Sequence, residues 1–304
     1  MLFKINFKMI MFFLFLSFVS LSCQENSGNS IAEISIYNFN YETAKNFKLS
    51  KKLKEISGLA TSPDGRLFAH NDELGIVYQL NLQNGEIIKY FSLGKKTVKE
   101  DFEGITIAGE RFFLVTSSGT IYEFTEGEQD QSVEFMKYKT PLKSKADVEG
   151  FCYDPDSNSL LLACKGDPGK GFKGRRAIYS FSLDKMKLDQ NPRFLISIDF
   201  IMQNLKKNFL NKLADFFLLD ENSTFAPSAI EWNAKTKTFF VLASKGKALL
   251  EVSPQGKITG IFQLDPKVHH QPEGLAFTDE FSMIICDEGR TKKAQITIYP
   301  LSTN

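Results

Sequence analysis

Glu103, Glu149 and Glu273 each stand one place before a glycine, in the segments Phe102-Glu-Gly-Ile-Thr106, Val148-Glu-Gly-Phe-Cys152 and Pro272-Glu-Gly-Leu-Ala276. Two further segments open the same way, Ile56-Ser-Gly-Leu-Ala60 and Pro227-Ser-Ala-Ile-Glu231, with Ser57 and Ser228 in the glutamate's place. If the five segments are equivalent strands around one axis, the carboxylates meet there. Like charges so placed repel one another unless a cation, a basic ligand or a proton compensates. Oxygen ligands of this kind suit Ca²⁺, which makes Glu103, Glu149 and Glu273 candidate metal ligands. A bound cation would in turn activate water for hydrolysis. The structural alternative is that each glutamate caps the backbone of its neighbour while the glycine permits close packing.

The elements that must hold these residues follow from the repeat. The small residues Gly58, Gly104, Gly150, Ala229 and Gly274 are spaced by 46, 46, 79 and 45. A recurrence of roughly 40–50 residues is the length of one four-stranded propeller blade. Alternating apolar runs are joined by Pro63-Asp64-Gly65 and Gln83-Asn84-Gly85, which are hairpin punctuation. The chain is therefore expected to be an all-β propeller of five blades, or six if the long spacing contributes strands. That spacing holds Ile201, Leu205, Phe209, Leu213 and Phe217, an apolar stripe at steps of four. It predicts an amphipathic helical insertion over about 200–222, either a partial lid with Lys206, Lys207 and Lys212 toward the channel mouth or a packed surface insertion with no ligand role. The last unit has room for three strands only, and Glu33–Asn38 is expected to supply its fourth, closing the ring.

In such a ring the start of each first strand and the end of each second strand share a face, together with the long loops. That face gathers the candidate ligand-binding residues Asn71, Asp72, Glu103, Glu149, Lys165, Lys245, Glu273, Asp287 and Glu288. Around it the loops are basic, with Lys51, Lys52, Lys54, Lys95, Lys96, Lys99, Lys143, Lys145 and the Lys165–Arg176 stretch. A basic rim over carboxylates fits an anionic ligand bridged by a metal; solvated loop lysines are the plainer reading.

At 37 Lys+Arg against 36 Asp+Glu the chain lacks the charge surplus that nucleic-acid binding needs. Lys4 and Lys8, the apolar run Met9–Val19 and the exit Ser20-Leu21-Ser22-Cys23 describe a secretory signal. Cys23 directly after a small-residue exit resembles a bacterial lipobox. It implies a signal peptide over 1–22, lipidation of Cys23, a polar tether over 23–32 and a propeller over 33–304, anchored at the membrane of a bacterial cell envelope. An ordinary cleaved signal is the alternative. Cys152, Cys164 and Cys286 lie in apolar strand-like runs and read as core residues, with a Cys152–Cys164 bond left open. No nucleophile elbow, P-loop or His-Glu-x-x-His segment occurs.

At Glu55-Ile-Ser-Gly-Leu-Ala60, Asn71-Asp-Glu73, Asp101-Phe-Glu-Gly104, Val148-Glu-Gly-Phe151, Pro227-Ser-Ala229 and Pro272-Glu-Gly-Leu-Ala-Phe277 the chain resembles the SdiA-regulated family of bacterial propellers. The resemblance implies an exported or membrane-attached β-propeller. The same openings are similar to esterase-like phytase and gluconolactonase-type propellers, which imply metal-assisted hydrolysis. Two functions follow as expectations. One is a lipid-anchored propeller that binds a small molecule, anionic in one reading, or a protein on its loop-rich face. The other is a Ca²⁺-dependent hydrolase of phosphoesters, esters or lactones.

Overall fold

The recurring openings become the innermost strands of five antiparallel sheets. The computed structural model describes residues 31–209 and 225–303. Blade 1 comprises Ile56–Thr61, Leu67–Asn71, Ile76–Leu80 and Ile87–Leu93; blade 2 comprises Phe102–Ala108, Arg111–Thr116, Ile121–Thr125 and Phe135–Tyr138. Blade 3 is built from Val148–Asp154, Ser159–Cys164 and Arg175–Ser182, whose outer edge takes both Lys187–Leu188 and Phe194–Ser197. Ala226–Asn233, Thr238–Lys245, Ala248–Val252 and Ile258–Gln263 form blade 4. Blade 5 has Pro272–Phe277, Met283–Asp287 and Gln295–Tyr299. Each innermost strand packs against those of the blades before and after it, so the five close a ring around a central channel. The chain is a five-bladed propeller, and the long spacing adds a helix rather than a sixth blade.

The sequence builds these sheets by alternation. Side chains on a strand point to opposite faces in turn, so each sheet offers an apolar face to both neighbours. The result is five core clusters, one at each blade junction. Between blades 1 and 2, Phe68 meets Phe112 edge-on at 5.0 Å, and both are buried. Full burial of such a side chain contributes about 1.5–3 kcal/mol. The glycine of the repeat is steric in origin. A Cβ on Gly150 would stand 3.0 Å from backbone atoms of Ala229 and Ile230 in the next blade, tighter than ordinary contact.

Ring closure does come from the N-terminal region, but not from Glu33–Asn38. Lys45–Lys48 pairs antiparallel with Gln295–Tyr299 and is the fourth strand of blade 5. Ala32–Glu33 instead joins the outer edge of blade 4 in parallel, opposite Gly260 and Ile261. Between them Ile34 and Tyr37 are buried at the junction of blades 4 and 5, where Tyr37 bridges to Leu301 and its hydroxyl accepts from Asn233 Nδ2 at 2.5 Å. The apolar pattern of 33–38 thus reports burial against two blades rather than a place in a ladder.

The three cysteines are free and buried. Cys152 faces blade 4 and Cys164 faces blade 2, so the strand pair presents them to opposite sides and no bond joins them. The inserted helix spans Ile198–Phe209, and Ser197 Oγ accepts from Phe200 N at its start. Ile201 and Leu205 are buried in the cluster between blades 3 and 4. This part of the helix packs on the outer strands Phe194–Ser197 and Ile258–Gln263, away from the channel mouth where a lid was expected. Leu213, Phe217 and Lys212 lie outside the described residues, as does the signal and tether region with Cys23. Among the described residues no helix is long and apolar enough to cross a membrane.

Candidate functional site

The innermost strands bring Ser57, Glu103, Glu149, Ser228 and Glu273 to one level of the channel. A register shift follows the first residue of each of these strands, at the start of the ladder to its neighbour. The bulge offsets the alternation of faces, so that Ile56, Phe102 and Val148 go into the cores at the blade junctions while the next residue is freed from them.

Glu149 is 7% exposed and forms an ion pair with Lys165, whose ammonium also lies 3.9 Å from Asp147. Burial pushes the Glu149 carboxyl up, and the Lys165 ammonium holds it part of the way down. For Lys165 burial opposes the charge, but the Glu149 carboxylate outweighs it and the pKa rises. Glu103 has a weaker partner, the Ser57 hydroxyl, which donates to Oε2 at 3.2 Å. Burial, then the charges of Glu149 and Asp101, push Glu103 up to about 9. Burial and the Glu149 charge likewise push Glu273 up to about 8. Three largely buried glutamates therefore influence one another, and among the described residues one ammonium, that of Lys165, contacts them. At neutral pH Glu103 and Glu273 hold protons that the same groups would lose in water.

The capping alternative describes Ser228 instead. Its hydroxyl donates to the carbonyl of Pro272 at 2.7 Å and ties blade 4 to blade 5.

The other candidates divide. Asp72 is half-buried, and burial followed by the charge of Glu55 raises it to about 6, with Glu73 and Glu288 adding to the shift. Its Oδ1 is shielded from solvent with no hydrogen-bond partner. Glu288 accepts from Gln271 Nε2, so Asp72 and Glu288 extend the acidic region across the junction of blades 5 and 1. Asn71 turns away: its Oδ1 accepts from the backbone of Leu74 and organises the loop. Asp287 is 3% exposed and belongs to the interior of blade 5. It accepts from Gln271 N at 3.2 Å and pairs at 2.8 Å with His269 Nδ1, whose Nε2 meets the Tyr299 hydroxyl at 2.8 Å. Lys245 is exposed and stands apart from the glutamates. Two residues on, Lys247 donates to the carbonyls of Ser244 and His270 at 2.6 and 2.7 Å and lies near Glu273. Burial lowers its pKa against the pull of that carboxylate.

Sequence reading thus missed Asp101, Asp147, Gln271 and Lys247. The first three stand two places before the channel glutamates, a spacing visible in Asp101-Phe-Glu103, Asp147-Val-Glu149 and Gln271-Pro-Glu273. Lys247 left no such signal, since it reaches the site through a tight turn at φ 44°. Among the described residues no three His, Cys, Asp or Glu side chains are grouped so as to hold a metal ion, although Glu103, Glu149 and Glu273 sense one another's charge. The arrangement can take up a positive group by releasing protons; as it stands it is not a ready metal cage.

The family model described as SdiA-regulated matches residues 219–304, which take in the four strands of blade 4 over 226–263 and the three C-terminal strands of blade 5. The resemblance read from the repeat openings is thus met by the model over the C-terminal part of the chain. No curated protein matches the sequence. Among solved structures, Myxococcus xanthus glutaminyl cyclase is similar over 85% of this chain and 96% of its own, at 11% identity and a TM-score of 0.53. A luciferin-regenerating enzyme is similar over 86% of this chain and 97% of its own, at 10% identity and a TM-score of 0.50. At such identities the likeness is one of fold.

Proposed function

We propose that this SdiA-regulated-type propeller is a binding protein of the bacterial cell envelope, anchored through Cys23, whose ligand presents a cationic group to the channel glutamates. The observation that carries this reading is the excess of buried carboxyl groups over ammonium groups at one level of the ring. Glu103 and Glu273, with pKa values of about 9 and about 8, keep protons that a bound cation would displace. Lys165 and the basic loops around the mouth suit an acidic group elsewhere on the same ligand. An organic ammonium fits the spread of the carboxyls better than a bare divalent ion, because the described acidic side chains are not grouped as a metal cage. The hydrolytic reading requires such a cage, so no catalytic step is derived from it.

Calorimetry with a diamine and with Ca²⁺, at pH 6 and pH 8.5, tests the reading. Binding of the diamine with proton release, weakened in Glu103→Gln, is the expected result. No uptake of either cation, or uptake indifferent to Glu103→Gln, overturns it. Anchoring is tested separately: wild type should partition into detergent and Cys23→Ala should not. Equal partitioning removes the anchor while leaving the channel site intact.

A further inference from the structure

A second recess lies at the outer rim, independent of the channel. It has a volume of about 690 Å³ and sits where the last strand of blade 1 faces the closing strand of blade 5. Three ammonium groups line it, those of Lys48, Lys52 and Lys293, against one carboxylate, Glu86. Among the described residues none of the three lysines is within ion-pair distance of a carboxylate. Lys52 is instead held 4.6 Å above the Tyr90 ring. The closing strand and the loop after it carry five lysines and no acid between Lys45 and Lys54. Ile88, one of two large apolar side chains among the described residues that are more than half exposed, lies on the recess wall.

Both walls are also strand edges. Lys45–Lys48 is hydrogen-bonded on one side only, to Gln295–Tyr299. The last strand of blade 1 gains a parallel partner, Ser132–Val133, at Ser92 and Leu93; at Tyr90 its edge is met by the Asp130 amide and the Gln129 side chain, and among the described residues no strand pairs with it at Ile88. Elsewhere the chain covers an outer edge with a short parallel segment of its own, as Ala32–Glu33 does on blade 4. Lysines on an edge strand discourage pairing with an identical edge. They do not discourage an acidic strand.

We infer that this recess docks an extended acidic peptide segment with at least one apolar side chain. Its carboxylates would meet Lys48, Lys52 and Lys293, its apolar side chain would cover Ile88, and its backbone would add to an open edge. A membrane surface is flat and would not need a recess with an edge inside it, and an acidic glycan would leave Ile88 and the edge unused.

The test is fluorescence anisotropy with purified full-length protein and a labelled hexapeptide, Glu-Asp-Leu-Asp-Glu-Leu. Salt-sensitive binding is expected, weakened about tenfold by Lys52→Glu and by Lys293→Glu, which reverse exposed charges. Lys170→Glu, on a loop of blade 3, should leave it unchanged. The same peptide with N-methylated backbone amides should bind weakly. Full binding of the N-methylated peptide overturns the edge pairing. Unchanged affinity in both charge reversals overturns the site. Phosphatidylglycerol vesicles or oligogalacturonate binding with the predicted variant sensitivity while the peptide does not would assign the recess to that other partner and overturn the peptide.

Discussion

Two sets of buried polar groups involve blade 5, one inside it and one at the channel, where its Glu273 joins Glu103 of blade 2 and Glu149 of blade 3, and they are built on opposite terms. In the first, Asp287, His269 and Tyr299 are each at most 4% exposed, and both His269 nitrogens and both Asp287 oxygens have partners. In the second, Glu103, Glu149 and Glu273 face one another with one ammonium in contact. A fully partnered network fixes the loop before blade 5 to its second and third strands. A network short of cations holds protons in their stead and remains open to exchange. Burial of a polar group therefore says little by itself; whether its partners are all internal separates a joint from a site.

The largest expected effect breaks the first set. Asp287→Ala leaves His269 Nδ1 and the amide of Gln271 without an acceptor in the interior, and should cost about 3 kcal/mol. Thermal unfolding should report a fall in Tm of roughly 6–12 °C; a fall of a degree or two would show the network to be dispensable. The second set should respond to pH rather than to truncation. Glu103 and Glu273 have folded pKa values of about 9 and about 8, above the ordinary carboxyl value of 4.5. Between 4.5 and 9 the folded state then holds more protons than the unfolded state, so their contribution to stability falls as pH rises through that window. Glu103→Gln should flatten that decline in chemical unfolding measured from pH 5 to pH 9, and an unchanged slope would contradict the assignment. A smaller effect is expected for Lys165→Met. Removing the ammonium that occupies Glu149 should strengthen diamine binding a few-fold in calorimetry, and unchanged or weaker binding would contradict competition between Lys165 and a cationic ligand for Glu149. The smallest is Ser57→Ala, which removes one hydrogen bond to Glu103 and should cost about 0.5–1.5 kcal/mol in denaturant unfolding.

Much of the fold was legible because a propeller repeats itself. The Glu-Gly openings marked the innermost strands, and the hairpin residues marked the turns. Closure was misplaced by about ten residues because Glu33–Asn38 alternates like a strand while its apolar side chains fill the junction of blades 4 and 5. Lys45–Lys48 is mostly polar and exposed, as an edge strand needs to be, so its pattern carried no sign of pairing. The channel glutamates were legible for the same reason as the fold. Asp287 was not separable from them by sequence, since the ends of the second strands share a face with the starts of the first, and only its pairing with His269, eighteen residues earlier, assigns it to the interior of blade 5. Lys247 was hidden because its approach depends on a left-handed turn that a lysine rarely adopts.

The strand that seals the ring pairs Lys45 with Ile298, near opposite ends of the chain. During synthesis Lys45–Lys48 leaves the ribosome long before Gln295–Tyr299 and must wait for it to be made. Until then blade 5 does not exist, and the junctions on both of its sides stay open. The ring thus cannot close before Gln295–Tyr299 has been made, and loss of that strand would leave Lys45–Lys48 without its partner.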